Sequence, residues 1–108
     1  MFEVYQSEKN QEYYFRLKAK NGQVIMTSQG YSAKSGAMNG VESVKKNASD
    51  ESRFEKKIAA NGKFFFSLKA GNGQVIGSSQ MYQAEIGRDN GIASVQKNAD
   101  GEVKDLTA

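Results

Sequence analysis

Phe15-Arg16-Leu17-Lys18-Ala19-Lys20-Asn21-Gly22-Gln23-Val24-Ile25 returns fifty-one residues later as Phe66-Ser67-Leu68-Lys69-Ala70-Gly71-Asn72-Gly73-Gln74-Val75-Ile76. Within each copy, apolar Phe, Leu and Ala alternate with polar residues, the period of a half-buried strand. Asn-Gly then marks a hairpin, expected as a type I′ turn with positive φ at both central residues. A two-residue turn fixes the pairing. Ala19 should face Val24, Leu17 should face Met26 and Phe15 should face Ser28 on an inward surface. Tyr14, Arg16 and Lys18 should share the outward surface with Gln29, Thr27 and Ile25. The second copy repeats this, with Ala70, Leu68 and Phe66 opposite Val75, Gly77 and Ser79.

The duplication reaches well beyond the hairpin. Aligned without a gap, residues 15–48 and 66–99 agree at 21 of 34 positions. Upstream, Phe2-Glu3 matches Phe54-Glu55 at an offset of fifty-two, so one residue was gained or lost in the first loop. Phe2 to Gln6 alternates like a strand, and Asn61-Gly62 gives the second copy a hairpin where the first has a longer polar loop. From Ser32 to Asn47 the period changes: Ala33, Ala37, Val41 and Val44 recur at helical spacing. Ser32 suits an N-cap, while Lys45, Lys46 and Asn47 suit a C-terminus. Glycines inside a helix cost about 1 kcal/mol each relative to Ala. Gly36 and Gly40, kept as Gly87 and Gly91, therefore imply close approach of the helix backbone to the sheet or to the other helix. Glu102 to Leu106 alternates again.

A unit of about fifty residues buries little core by itself. Both copies are expected to share one core, a single compact domain over 1–108 with repeats 1–52 and 53–108. The fold class is α+β: two tandem β3-α(-β) units forming one antiparallel sheet with two helices on one face.

Composition narrows the chemistry. The 108 residues are 38% hydrophobic and 25% charged, a globular balance, with net charge +3 and pI near 9.1. That excess is mild and spread along the chain, so it gives weak attraction to anions and no polybasic tract. With no Cys and no His, the chain offers no disulfide, thiol nucleophile, Cys/His zinc site or histidine base. EF-hand, P-loop and dinucleotide patterns do not occur. No metal or cofactor is expected. Met1 leads at once into a strand, and no apolar run is long enough for a membrane span or leader; a soluble, cytoplasmic protein without a membrane partner is expected.

Catalytic constellations are thin. Ser28 and Ser79 recur, and Lys18, Lys46, Lys69 and Lys97 could act as bases if buried. Ser28, however, falls opposite Phe15 on the inward face, where a hydrogen bond at the end of the hairpin is its simpler role. Glu42 becomes Ala93, while Glu85 and Asp89 replace Lys34 and Met38. Glu3 and Glu55 match, on an outward face expected to be solvated.

The string Phe15-x-Leu17-Lys18-Ala19-x-Asn21-Gly22-x-Val24-Ile25, followed by Ser28-x-x-Tyr31 and Asn39-Gly40-x-x-Ser43-Val44-x-x-Asn47-Ala48, closely resembles the YegP-like family of small bacterial proteins of unknown function. The second copy repeats it, and Asp105-Leu106-Thr107 is similar to the family's ending. The resemblance implies a β3-α-β unit found singly, pairing into dimers, or in tandem. It further implies one continuous sheet in which C-terminal strands are exchanged, with helices on one side. It implies no activity. A tandem pair that mimics such a dimer is expected to be a monomer.

Two surfaces remain as candidates. The face away from the helices should carry Tyr5, Tyr14, Arg16, Lys18 and Ile25, with Lys57, Phe65, Lys69 and Ile76, a mix of aromatics and cations on which single-stranded nucleic acid could stack. The repeated polar residues Ser28, Gln29, Asn39, Lys46 and Asn47, with Ser79, Gln80, Asn90, Lys97 and Asn98, either cap and brace the fold or line two symmetry-related pockets at the helix ends. The sequence favours a non-enzymatic binding or interaction module of unknown ligand. Nucleic-acid binding on the open face is the first rival, and an enzyme using the retained Ser and Lys positions is the second.

Overall fold

The computed structural model describes residues 1–107. Strands β1 (Phe2–Gln6), β2 (Tyr13–Lys18) and β3 (Val24–Ser28) precede helix α1 (Lys34–Asn47). Strands β4 (Phe54–Ile58), β5 (Phe64–Lys69) and β6 (Val75–Ser79), helix α2 (Glu85–Asn98) and β7 (Val103–Asp105) follow. All seven strands form one sheet in the order β4-β5-β6-β3-β2-β1-β7. The repeats meet at β3 and β6, paired antiparallel through Met26↔Ser79, Thr27↔Ser78 and Ser28↔Gly77. One pair departs from the antiparallel pattern: β7 runs parallel to β1, from Phe2↔Val103 to Val4↔Asp105. Strand exchange therefore runs one way. The closing strand of the second repeat completes the edge of the first, whereas the segment after α1 is a 3-10 turn, Glu51–Arg53, leading into β4. Among the described residues, the outer edge of β4 has no neighbour.

Both helices lie over one apolar face. Phe2, Val4, Phe15, Leu17, Met26, Phe66 and Leu68 are fully buried beneath Val41, Val44, Ile92 and Val95 in a single cluster. The inward placement read from alternation holds for Phe15, Leu17, Phe66 and Leu68. Phe2 meets Phe15 edge-on at 6.1 Å, and Phe54 meets Phe66 likewise at 5.7 Å, the geometry that aromatic quadrupoles favour. At the seam, Gly77 stands where the first repeat has Met26. A Cβ there would lie 2.9 Å from the Thr27 carbonyl oxygen and 3.2 Å from Met26 Cγ, so one methionine fills the space for both halves.

The hairpins correct the expected turn. In each of the three hairpin Asn-Gly pairs the glycine alone has positive φ, 86° at Gly22, 82° at Gly62 and 85° at Gly73. The preceding Asn side chains accept hydrogen bonds at 3.0 Å from the N–H groups of Gln23, Lys63 and Gln74. Each Gly N–H donates back to Ala19, Ala59 or Ala70. This is a three-residue loop, a type I turn closed by one left-handed glycine, rather than type I′. The extra residue is absorbed as a bulge. Leu17 still pairs with Met26, but Lys18 pairs with Val24, and the second copy shifts in the same way. Because one inserted residue swaps faces, Ile25 and Ile76 turn inward and are only 5% and 4% exposed.

The helix starts differ from expectation too. Ala33 and Ala84 are the N-caps, without side-chain hydrogen bonds, and Ser32 does not cap. The glycine pairs on the helices seat a tyrosine of the same repeat. A Cβ on Gly36 would lie 2.9 Å from Tyr31 Cδ1, and one on Gly40 would lie 2.7 Å from both Tyr31 Oη and Phe15 Cε2. Tyr31 is pinned for this by paired backbone bonds with Tyr13, and Tyr82 by the same bonds with Phe64.

Candidate functional site

The open face is a set of closed charge pairs. Glu3, expected in solvent, is 8% exposed, with its carboxylate 2.7 Å from Arg16 Nε and 3.3 Å from Lys18 Nζ. The hydrogen bond from Arg16 holds its pKa below the usual carboxylate range against the opposing effect of burial. Glu55 repeats the arrangement, 3.1 Å from Lys69 Nζ and 3.2 Å from Lys57 Nζ, and those two bonds depress its pKa. Arg16 also lies 4.5 Å over the Tyr5 ring, which stacks on Tyr14 at 5.7 Å. Lys57 sits 5.9 Å from the centre of Phe65. The structure thus brings Tyr5, Tyr14, Arg16 and Lys18 together, and separately Lys57, Phe65 and Lys69, with Ile25 and Ile76 absent from both groups. Between them run Thr27, Ser78 and Ser67, the last two bonded at 2.8 Å.

The repeated serines are structural. Ser28 Oγ accepts the Phe15 N–H at 2.9 Å and donates to the Gln29 carbonyl at 2.9 Å. Ser79 does the same with Phe66 and Gln80, at 3.0 and 2.7 Å. A hydroxyl whose proton is committed to a carbonyl is not poised for attack. Asn47 and Asn98 donate to the Ser43 and Ser94 carbonyls, each at 2.8 Å, and so brace the last turns of their helices.

Of the remaining repeated polar residues, Gln29 and Asn39, with Gln80 and Asn90, converge on two clefts, each built by both repeats. The first, of about 420 Å³, lies between α1 and the β5–β6 hairpin. Gln29, Tyr31, Gly36, Asn39, Gly40 and Ser43 form one wall, and Ala70, Asn72, Gln74, Val75 and Ile76 form the other. The second, of about 200 Å³, lies between α2 and the β2–β3 hairpin. Its walls are Gln80, Tyr82, Gly87, Asn90, Gly91 and Ser94, against Ala19, Asn21, Gln23, Val24 and Ile25. Every wall residue of one cleft is the repeat mate of a wall residue of the other, and every pair is identical. The bulge that turns Ile25 and Ile76 inward is what makes them the floors.

Folding explains part of this agreement. Tyr31 needs its glycine seat, Asn72 closes a turn, and Gln29 Nε2 donates to the Val75 carbonyl across the seam at 2.9 Å. Gln23, Asn39 and Lys46, with Gln74, Asn90 and Lys97, are different. All six are exposed, and no side-chain hydrogen bond or ion pair holds them among the described residues. Four exposed positions on or just before the helices, away from the clefts, have diverged: Ser32, Ser35, Met38 and Glu42 became Gln83, Ile86, Asp89 and Ala93. Burial pushes the Tyr31 phenol above its ordinary range, so it remains a donor at the cleft wall. Gln29 and Asn39, with Gln80 and Asn90, were legible as repeated polar residues. Gln23, Tyr31 and Ser43 and their mates were missed, although agreement at an exposed position was a usable signal for Gln23. Among the described residues, no group of His, Cys, Asp and Glu could hold a metal, and no helix is long and apolar enough to cross a membrane.

Comparison with known proteins gives a concordant picture. A domain of unknown function, DUF1508, matches twice, over residues 8–55 and 59–105. A UPF0339 protein encoded 5′ of a ptx operon in Stutzerimonas stutzeri is 57% identical over 98 residues, 91% of this chain and 87% of the relative. The UPF0339 protein YegP of Escherichia coli K12 is 51% identical over 107 residues, 98% of this chain and 96% of the relative. The solution NMR structure of a UPF0339 protein from Shewanella oneidensis superposes with a TM-score of 0.91 at 51% identity, covering 97% of this chain and 89% of that one. The NMR structure of yegP from E. coli, described as a protein of unknown function, gives 0.91 at 49% identity, covering 97% and 90%.

Proposed function

This chain belongs to the DUF1508 family, whose function is unknown, and from that premise we propose that it is a non-enzymatic binding protein whose ligand sites are the twin clefts. The observation that carries the reading is the identity of exposed, unengaged side chains on both clefts, Asn39 with Asn90 and Gln23 with Gln74, beside a helix surface that has diverged. Amides and hydroxyls over an apolar floor of Val and Ile match the usual make-up of a small-molecule site. The uncharged walls suit a polar molecule read by hydrogen bonds. The nucleic-acid reading is weaker because the four cations beside the open-face aromatics are already shared between Glu3 and Glu55. A fragment screen of small polar molecules, followed through the side-chain amide resonances of labelled protein, tests the proposal. Bound fragments should move the Asn39 and Gln74 signals together with those of Asn90 and Gln23. The double variant Asn39→Ala, Asn90→Ala should fold within about 0.5 kcal/mol of the parent and lose the response. Unchanged binding by that variant, or fragments that shift only the open face, would reject the clefts.

A further inference from the structure

Each cleft continues past its serine wall toward the C-terminal end of its helix, and the extension is basic. Ser43, Ala70 and Asn72 line both the first cleft and an adjoining hollow of about 380 Å³, which adds Lys46, Asn47, Arg53 and Gly71. In the other half, Ser94, Ala19 and Asn21 are shared with a hollow of about 250 Å³, which adds Lys97, Asn98 and Lys20. Two cations therefore stand at the end of each groove, and they are supplied differently.

Lys46 and Lys97 are repeat mates. The second cation beside α1 is Arg53 from the 3-10 turn. Its Nη1 and Nη2 lie 3.6 Å from where a Cβ on Gly71 would stand, an ordinary contact that seats the guanidinium beside the hairpin turn. Beside α2 the second cation is Lys20, at the hairpin position that Gly71 occupies in the other copy. Asp50 lies 3.4 Å from Arg53 Nε, and the two Nη groups lie on the side of Gly71, which lines the hollow. A cation in the last helical turn complements the dipole, which accounts for Lys46 and Lys97. It does not account for a second cation delivered from another element, nor for a paired charge kept while its source changed.

We infer that each groove binds a small polar molecule bearing an anionic group, phosphate or carboxylate. The neutral body lies among Gln29, Asn39 and Gln74, or their mates, and the anion lies at Lys46 and Arg53 or at Lys97 and Lys20. This rests on the cleft reading. The guanidinium fork and ammonium groups match either anion. Because these cations are solvated, their contribution falls with ionic strength.

Labelled full-length protein titrated at low salt with ribose 5-phosphate, gluconate and ribose separates the possibilities. At least one charged probe should shift the side-chain amides of Asn72 and Asn21 at two sites, weaken with added salt, and bind about tenfold more tightly than ribose. The charged probe that responds identifies phosphate or carboxylate. Lys46→Gln with Arg53→Gln should weaken the α1 groove about tenfold and leave the α2 groove unchanged. Ribose binding as tightly as both charged probes would overturn the anionic end while leaving the clefts standing. Charged probes that shift Lys9 and Lys63 as much as the grooves, or nothing at either groove, would overturn it too, and the fragment screen would still decide the clefts.

Discussion

The two ends of the sheet are built from the same ancestral strand and solve opposite problems. At one end β1 is covered by β7, and the half beneath it is dry: Val4 and Ala37 are fully buried. At the other end β4 has no outer neighbour among the described residues, and the corresponding residues are Lys56 and Arg88. Lys56 Nζ lies 3.3 Å from Asp89, and Arg88, 7% exposed, lies 3.3 Å from Asp89 with its guanidinium 5.5 Å over Phe64. The charges stand where a strand is missing. Inward-pointing charges and edge lysines are a known defence against edge-to-edge pairing. The tether of β7 is reversed as well. Lys34 pairs with Asp105, but Glu85 holds the position of Lys34 in the second repeat. A β7 from another copy would bring its aspartate toward that glutamate, so the bare edge repels the strand that fits the covered one.

Exchanging residues between the ends is the strongest way to break this comparison. Val4→Lys places an ammonium in a dry site and should cost about 4 kcal/mol or more in urea denaturation. The reverse change, Lys56→Val, should alter stability by only about 1 kcal/mol, yet produce concentration-dependent self-association in sedimentation. Equal costs at both sites would mean that the halves do not differ as described. A smaller contrast separates the helices. A Cβ on Gly36 would meet Tyr31 at 2.9 Å, whereas one on Gly87 would meet Tyr82 at 3.3 Å. Ala gains about 1 kcal/mol over Gly in a helix, so Gly87→Ala should be close to neutral and Gly36→Ala destabilising by about 1 kcal/mol; thermal melts of the pair decide. The smallest effect concerns pH. Hydrogen bonds from Lys34 and Thr107 hold the Asp105 carboxyl to about 2. A depressed carboxylate contributes stability above its unfolded pKa of about 3.9, and that contribution is lost as pH falls toward 2. The protection factors of the β7 amides should therefore fall across that window, and Lys34→Ala should return the carboxyl toward its ordinary range in an NMR titration.

The sequence made the core legible because burial follows alternation. Phe15, Leu17, Phe66 and Leu68 sort inward whatever turn joins their strands. The turn itself was misread because Asn-Gly fits two hairpin classes that differ by one residue, and that residue carried Ile25 and Ile76 from the open face to the cleft floors. The polar pockets were half legible. Repetition singled out Gln29 and Asn39, but their opposite wall comes from the other repeat, and the offset between copies contains no information about which hairpin faces which helix. Lys56, exposed at the repeat position of buried Val4, is explained by the edge that β4 forms.

The β1–β7 ladder joins segments about a hundred residues apart. On the ribosome, at roughly 5–20 residues per second, β1 emerges several seconds before its outer neighbour exists. During that interval the half with the apolar interior has an open rim, while the charged half is still being made. The guarded edge belongs to the finished molecule; the vulnerable edge belongs to the nascent one.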